Sequence, residues 1–140
     1  MRKLILFLIL LMTTGVLAAQ SNAEPSLKIA LHPCVLFSGS LPANTRADMS
    51  IHACNIPSNV TSLDVHVIVT ATAAGSLKVW EADMTEPSPA IMTYGSGTTA
   101  GFAEPRACAP YGECAYGISA KATSDITLTL VAVAAYVPPN

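Results

Sequence analysis

The sequence has little charge, no basic cluster and no sign of a surface helix. Charged residues make up 11% of the chain, and the formal net charge is −2 at pH 7. Because nucleic-acid-binding domains carry a basic patch or stripe, this sequence argues against a nucleic-acid partner. It also lacks internal repeats, heptads, low-complexity runs and capped amphipathic helices. Ala, Thr, Ser and Val are abundant instead, which favours an all-β domain over a helical one.

No hydrophobic run is long enough to be a convincing membrane span. The apolar run over residues 4–12 follows two basic residues and precedes small residues that include Ala19 and Ala23. This pattern predicts a secretory signal peptide over residues 1–23, cleaved after Ala19 or Ala23, with an uncleaved anchor as the alternative. No cysteine follows the small residues, so a lipoprotein anchor is not expected. Residues 24–140 would then form one secreted or periplasmic domain with no stable membrane span.

Four cysteines lie in the part of the chain predicted to be exported, and their number is even. In an oxidising compartment this count predicts disulfides. Of the three pairings, the local one costs least in loop closure. A zinc site would need a tight C-x-x-C pair, and the C-x5-C spacing does not favour it. We therefore expect no metal or cofactor, and two bridges that join Cys34 to Cys54 and Cys108 to Cys114.

The stretch SLDVHVIVTATAAGSLKVWEAD, residues 62–83, contains the clearest strand pattern. Apolar residues alternate with polar ones from Leu63 to Ala71, which predicts a half-buried strand. A second strand would place Leu77 and Val79 on one face and Trp80 on the other. The two strands are predicted to form a hairpin, whose turn uses Gly75 at positive φ.

Other short strands with Gly and Pro punctuation surround this stretch, including residues 98–103 and residues 47–54, whose alternation places Met49, Ile51 and Ala53 inward. The LKIAL segment is predicted to end at His32-Pro33, and residues 38–44 are predicted to be a loop. The final strand, Ile126 to Val137, is apolar on both faces from Leu130 onward. It is therefore predicted to lie inside a sheet or under a second layer, the alternative being an edge left open for another subunit. The pattern predicts an antiparallel β-sandwich or flattened barrel of about eight strands, braced by disulfides.

The central residues resemble an all-β module that occurs on secreted and surface proteins of bacteria. Residues 56–70, IPSNVTSLDVHVIVT, and 74–80, AGSLKVW, are similar to its pattern IPANATAVALNVTVVNPTAAGHLTVYPAG. Residues 89–94 match its P-x-x-S-x-L-N-F segment, and residues 97–100 match G-Q-T-x-A-N. The resemblance spans about Cys34 to Val137. It implies an exported all-β fold and no established activity.

Two charged motifs of that module are replaced here. Ser38-Gly39-Ser40 stands where the module has D-T-R, and residues 132–136 stand where it has D-V-x-G-Y. If the module's Asp and Arg form a buried pair, both partners are absent from this chain. Losing both avoids leaving one charge buried and unpaired.

Aromatic side chains are the main candidates for ligand contact. A ring has an apolar face and edges beside which hydroxyls can hydrogen-bond, so clustered rings could stack on a sugar. The alternative for Trp80 is a structural role, covering the second face of its sheet. The candidates for ligand contact are Trp80, Tyr94, Tyr111 and Tyr116.

Catalytic and metal-binding patterns are weak. His52 and His66 could share a metal if their strands pair, although no third ligand is evident. Among the carboxylates Glu81, Asp83 and Glu86, Glu81 falls on the same face as Val79 and could be partly buried with a raised pKa, as a hydrolase would need. A solvated glutamate at a strand edge is the favoured interpretation. No G-x-S-x-G motif is present.

These patterns predict a secreted, non-enzymatic structural, adhesion or recognition module of a bacterial envelope or exterior. Its partner would be an envelope glycan or a surface protein. A small secreted hydrolase or enzyme inhibitor is the first alternative, distinguished by a cleft with a perturbed carboxylate or histidine. A self-assembling subunit that uses its C-terminal strand is the second, and the sequence leaves the oligomeric state open.

Overall fold

The computed structural model describes residues 26–51, 54–57, 59–106 and 117–138, and the predicted signal peptide lies outside these ranges. No helix in these ranges is long and apolar enough to cross a membrane. The described residues form two antiparallel sheets of four strands each. The strands are β1 (Leu27–Leu41), β2 (Arg46–Ser50), β3 (Ser62–Ala71), β4 (Gly75–Glu81), β5 (Met92–Tyr94), β6 (Gly97–Ala103), β7 (Gly117–Ala122) and β8 (Ile126–Val137).

Sheet A has the strand order β1-β8-β3-β6, and sheet B has the order β2-β7-β4-β5. The buried apolar side chains of both sheets form one cluster between them. In β3, the whole face from Leu63 to Ala71 belongs to this cluster, as the alternation predicted. The predicted disulfide-braced, all-β sandwich is therefore confirmed.

The predicted hairpin of β3 and β4 is wrong. β3 pairs with β6 and β8 in sheet A, whereas β4 pairs with β5 and β7 in sheet B. Residues 72–74 therefore carry the chain from one sheet to the other. The alternation was right because each strand buries one face, but a short turn alone does not determine whether its strands pair side by side.

Gly75 is required because a side chain at this position would meet its neighbours. Its predicted positive φ is not observed. A Cβ atom at this position would lie 2.5 Å from the Tyr94 hydroxyl oxygen and 2.8 Å from the side-chain oxygens of Thr123 and Ser124. The glycine thus lets these three side chains approach the start of β4.

β1 is longer than predicted and corrects two expectations. It continues past His32-Pro33, with a register shift between Ala30 and Cys34. Proline is tolerated there because β1 is an edge strand with an irregularity at that point. Residues 38–41 were predicted to be a loop, but they pair with residues 126–129 of β8.

β8 is a central strand, as its apolar sequence predicted. It pairs with β1 on one side and with β3 on the other. Its inward residues Leu128, Leu130 and Ala132 are fully buried. Within this fold β8 has no free edge, so the alternative in which it pairs with another subunit is not supported.

The disulfide between Cys34 and Cys54 is confirmed, with the two Cα atoms 5.7 Å apart. It joins β1 to the connection between β2 and β3. A disulfide of this kind indicates an oxidising compartment outside the cytoplasm. The predicted partners Cys108 and Cys114 lie outside the described residues.

Candidate functional site

Trp80 is buried, with 6% of its surface exposed. The guanidinium of Arg46 lies over its ring, 5.5 Å from the centroid, and the indole Nε1 donates a hydrogen bond of 3.2 Å to the carbonyl oxygen of Met84. These contacts correspond to the structural alternative, in which the tryptophan covers the second face of sheet B. The ring face under Arg46 is covered and is not open to a sugar.

Tyr94 is also buried, with 5% of its surface exposed. Its hydroxyl is hydrogen-bonded to the Ser124 hydroxyl at 2.9 Å, which satisfies the polar end of the side chain. Two of the four aromatic side chains proposed to contact a ligand, Trp80 and Tyr94, are therefore buried. Tyr111 and Tyr116 lie outside the described residues, so their role stays a prediction.

The three candidate carboxylates do not all form one site, although Asp83 is close enough to Glu81 to raise the pKa of Glu81. Glu86 accepts hydrogen bonds of 2.9 Å from both Lys78 and Lys121, and these two contacts lower its pKa. Glu81 is buried, contrary to the favoured interpretation of a solvated glutamate, and burial is the main cause of its raised pKa. Since Glu81 and Glu86 line different clefts, the structure gives no paired-carboxylate arrangement between them.

His66 is exposed on β3, where its ring meets that of Phe102 edge to face, with 4.3 Å between centroids. The proposed metal pair required the strands of His52 and His66 to be neighbours. His52 is outside the described residues, and the preceding strand β2 belongs to sheet B rather than sheet A. Within the described ranges, no group of three or more potential ligands is placed to hold a metal ion.

The outer face of sheet A carries a row of four exposed hydroxyl side chains, one from each strand. We call it the hydroxyl row. Thr70 and Thr98 are hydrogen-bonded to each other at 3.1 Å, and each hydroxyl retains further donor or acceptor capacity. Neighbouring strands are about 4.8 Å apart, so the row spans roughly 14 Å. In spatial order its members are Ser40, Thr127, Thr70 and Thr98.

A second row of outward side chains crosses the same face and is largely apolar. We call it the apolar row. One further row lies between it and the hydroxyl row. Phe102 at its β6 end is 65% exposed, and Val35 at its β1 end is 58% exposed. Such exposure of large apolar side chains on one face is typical of interaction surfaces. In spatial order the members of the row are Val35, Val131, His66 and Phe102.

The intervening row lies between the hydroxyl row and the apolar row, two residues from each of them along β3. It contains a hydroxyl pair, Ser38 and Thr129, hydrogen-bonded at 3.2 Å, followed by Ile68, which is 40% exposed, and Ala100. Neither this row nor the hydroxyl row contains an ionisable side chain. These three rows thus change from hydroxyl-rich to apolar along the strands, with His66 as their one ionisable side chain, and the charged side chains of Lys28 and Asp64 follow further along β1 and β3.

Phe102 is the residue that sequence reasoning missed. The segment TTAGFA was assigned to a strand, but its outward positions were not considered as ligand contacts. Alternation places Ala103 inward, and Ala103 is indeed 5% exposed. That alternation alone was enough to place the neighbouring Phe102 on the outside.

Comparisons with known proteins identify no family. No family model matches the chain, and no curated protein matches it. Among solved structures, the coat protein of Tobacco streak virus is similar at a TM-score of 0.39 and 12% sequence identity. That match covers 89% of this chain and 92% of the viral chain. At this level of similarity it contributes nothing to the functional argument.

Proposed function

We propose that this protein is a secreted, non-enzymatic recognition module that binds a neutral polysaccharide chain on the outer face of sheet A. The observation that carries the proposal is Phe102, which is 65% exposed on the same sheet face as the hydroxyl row, four residues from Thr98 along β6. A sugar ring likewise combines an apolar face with a rim of hydroxyls. The face therefore offers a stacking surface and hydrogen-bonding groups in the combination that a sugar requires.

The absence of charge from the hydroxyl row and the intervening row selects the class of polysaccharide. No ionisable group lies in the hydroxyl row or in the row beside it, so these rows have no cation to pair with a sulfate or carboxylate. A neutral chain loses less hydration on binding than a charged one, since an ion buried without a partner is costly. The sugar bound at Phe102 would also contact His66.

Three observations support an exported module. The N-terminal residues have the pattern of a signal peptide, the disulfide fits an oxidising compartment, and the sequence resembles a bacterial exported module. We include secretion and a bacterial envelope partner in the proposal on these grounds. The buried carboxylate Glu81 is the last residue of β4 in sheet B, so it takes no part in this site on sheet A.

The test is affinity electrophoresis of the mature protein in gels that contain dextran, galactomannan or xyloglucan, with heparin and alginate as anionic comparisons. We expect retardation by at least one neutral polymer. Phe102→Ala should weaken that binding about ten-fold, since aromatic contacts contribute up to about 1.5 kcal/mol beyond buried area. Thr70→Val should weaken it several-fold by removing one hydroxyl at nearly constant shape.

Matched controls are available in sheet B and its connections. Met84→Ala removes another exposed apolar side chain, and Thr93→Val removes an exposed strand hydroxyl; neither should change binding. Absence of retardation in every neutral polymer would contradict the proposal, as would wild-type binding by Phe102→Ala. Size-exclusion chromatography of the same variants tests whether a second copy of this chain, rather than a polysaccharide, binds this face. A dimer that Phe102→Ala dissociates would assign this face to a second copy and overturn the glycan proposal.

A further inference from the structure

A separate cleft of about 360 Å³ opens at one end of the sandwich. We call it the end cleft. The end of β4, the connection from β4 to β5, and the residues that follow β6 form its walls. Its volume is within the range of small-molecule sites, which are mostly apolar with a few polar groups. The apolar part of the lining includes Val79, Trp80, Met84, Pro87, Pro89 and Ile91.

A buried carboxylate lines this apolar space. Glu81 is the last residue of β4, points to the same side as Val79, and has 4% of its surface exposed. Burial disfavours its charged form and raises its pKa, and the nearby Asp83 acts in the same direction. Arg106 opposes this effect, but burial is the larger cause.

The charges around the end cleft leave a net negative balance. Glu81, Glu104 and Arg106 line it, so two carboxyl groups face one guanidinium. Asp83 adds a further negative charge near Glu81, and Arg46 adds a positive charge over the Trp80 ring. With Glu81 ionised, one carboxylate charge in the lining is therefore left for an external cation, and the apolar walls can hold a hydrocarbon group next to it.

We propose that the end cleft binds a small organic cation, an apolar group that carries one protonated amine, with the ammonium on Glu81 and the apolar part against Trp80 and Ile91. This site is independent of the polysaccharide face, which lies on the outside of the other sheet. A charge-assisted hydrogen bond to a buried carboxylate is stronger than a neutral one. The same walls that make ionised Glu81 costly in the free protein make it a strong partner for a bound amine.

Trp80 makes this proposal directly measurable. It is the single tryptophan of the chain and lines the end cleft, so intrinsic fluorescence reports on this site. The probe is phenethylamine, whose amine stays protonated at neutral pH as lysine does. Phenethyl alcohol and phenylacetate serve as neutral and anionic probes of similar size. We expect a saturable change with the amine, and binding about ten-fold weaker or more for the alcohol.

The decisive variant is Glu81→Gln, which removes the charge and keeps the shape. It should weaken amine binding about ten-fold or more and abolish the preference over the alcohol. Asp83→Asn makes the same chemical change at a side chain that does not line the end cleft, and its effect should be smaller. Urea unfolding of both variants establishes that they remain folded. Equal amine binding by wild type and Glu81→Gln, or no saturable signal in wild type, would overturn the proposal.

The pH dependence supplies a second readout. Amine affinity should fall as the pH is lowered through the titration of Glu81, because the protonated carboxyl no longer pairs with an ammonium. The other charged groups around the end cleft, which are Asp83, Glu104, Arg106 and Arg46, are common to both proteins, so the comparison is with Glu81→Gln at each pH. A fall of the same size in that variant would show that Glu81 is not the partner.

Discussion

At the scale of single residues, Glu81 makes stability depend on pH. Its pKa is raised in the folded protein, so the folded state holds its proton to higher pH than the unfolded state does. Stability should therefore fall as the pH rises from the ordinary glutamate range through the folded pKa. An amide at this position would not carry this cost.

We expect Glu81→Gln to increase the free energy of unfolding relative to wild type by more at pH 7 than at pH 4. Urea denaturation at the two pH values measures this, because groups common to both proteins cancel in the difference. Asp83→Asn is the control for removing an acid nearby. A difference between wild type and Glu81→Gln that is the same at both pH values would show that burial does not perturb Glu81.

The pKa of Asp48 is shifted in the opposite direction, and this carboxylate is exposed where Glu81 is buried. Its carboxylate accepts hydrogen bonds of 2.5 Å from the Ser119 hydroxyl and 2.7 Å from Arg46 Nε, and these lower its pKa. Its side chain is 60% exposed, so water screens much of the ion pair. Asp48 on β2 and Glu81 at the end of β4, two acids of sheet B, thus have pKa values shifted in opposite directions for local reasons.

At the scale of elements, the bridge between Cys34 and Cys54 fastens the edge strand β1 to the connection that leads into β3. It closes a loop with a sequence separation of 20 residues. Replacing both cysteines with serine should lower the free energy of unfolding by about 3 kcal/mol, chiefly by giving the unfolded chain more freedom. Urea unfolding under oxidising conditions measures the loss.

The control for this prediction is the same comparison under reducing conditions. Wild type and the double Cys→Ser variant should then have similar stabilities, since the 34–54 bridge is absent from both. A loss of stability in the variant that persists after reduction would indicate that the cysteine side chains matter through packing. The second predicted bridge is shared by both proteins, so it does not enter the difference.

Alternation along single strands was the part of the fold that could be predicted from sequence. It gave the buried face of β3, the inward Met49 and Ile51 around β2, and the strand that contains Phe102. Pairing between strands could not be predicted in the same way. Residues 72–74 join two sheets, yet their sequence is also compatible with a hairpin, because the choice depends on contacts far away in the chain.

The candidate site was only partly accessible to sequence reasoning. Trp80 was identified as the leading aromatic, but its exposure depends on Arg46 and Met84, which are brought to it by other elements. Phe102 depends only on its own strand and could have been placed on the surface. The rows on sheet A needed the register of four strands, and no pattern within one strand contains that information.

At the scale of the whole molecule, β8 holds sheet A together. It is paired along β1 on one side and along β3 on the other, and Leu128 and Leu130 are fully buried. Removing residues 126–140 should therefore abolish the cooperative unfolding transition measured by circular dichroism. Removal of an interior strand exposes both its neighbours and the core.

Deletion of residues 24–26, which precede β1, is the matched control and should leave the transition close to that of the mature protein. A cooperative transition retained without residues 126–140 would contradict the central role of β8. It would also reopen the interpretation in which this strand serves another subunit.

The pairing of β1 with β8 also determines how the domain can be joined to a carrier protein or a solid support. Leu27 lies opposite Val137, so the two ends of the described domain are neighbours at one pole of sheet A. The hydroxyl row lies toward the other pole, where Leu41 pairs with Ile126. A carrier protein or bead joined at either terminus would thus display the hydroxyl row outward. The same proximity suits circular permutation, with a short linker across the old ends and new ends opened at residues 72–74.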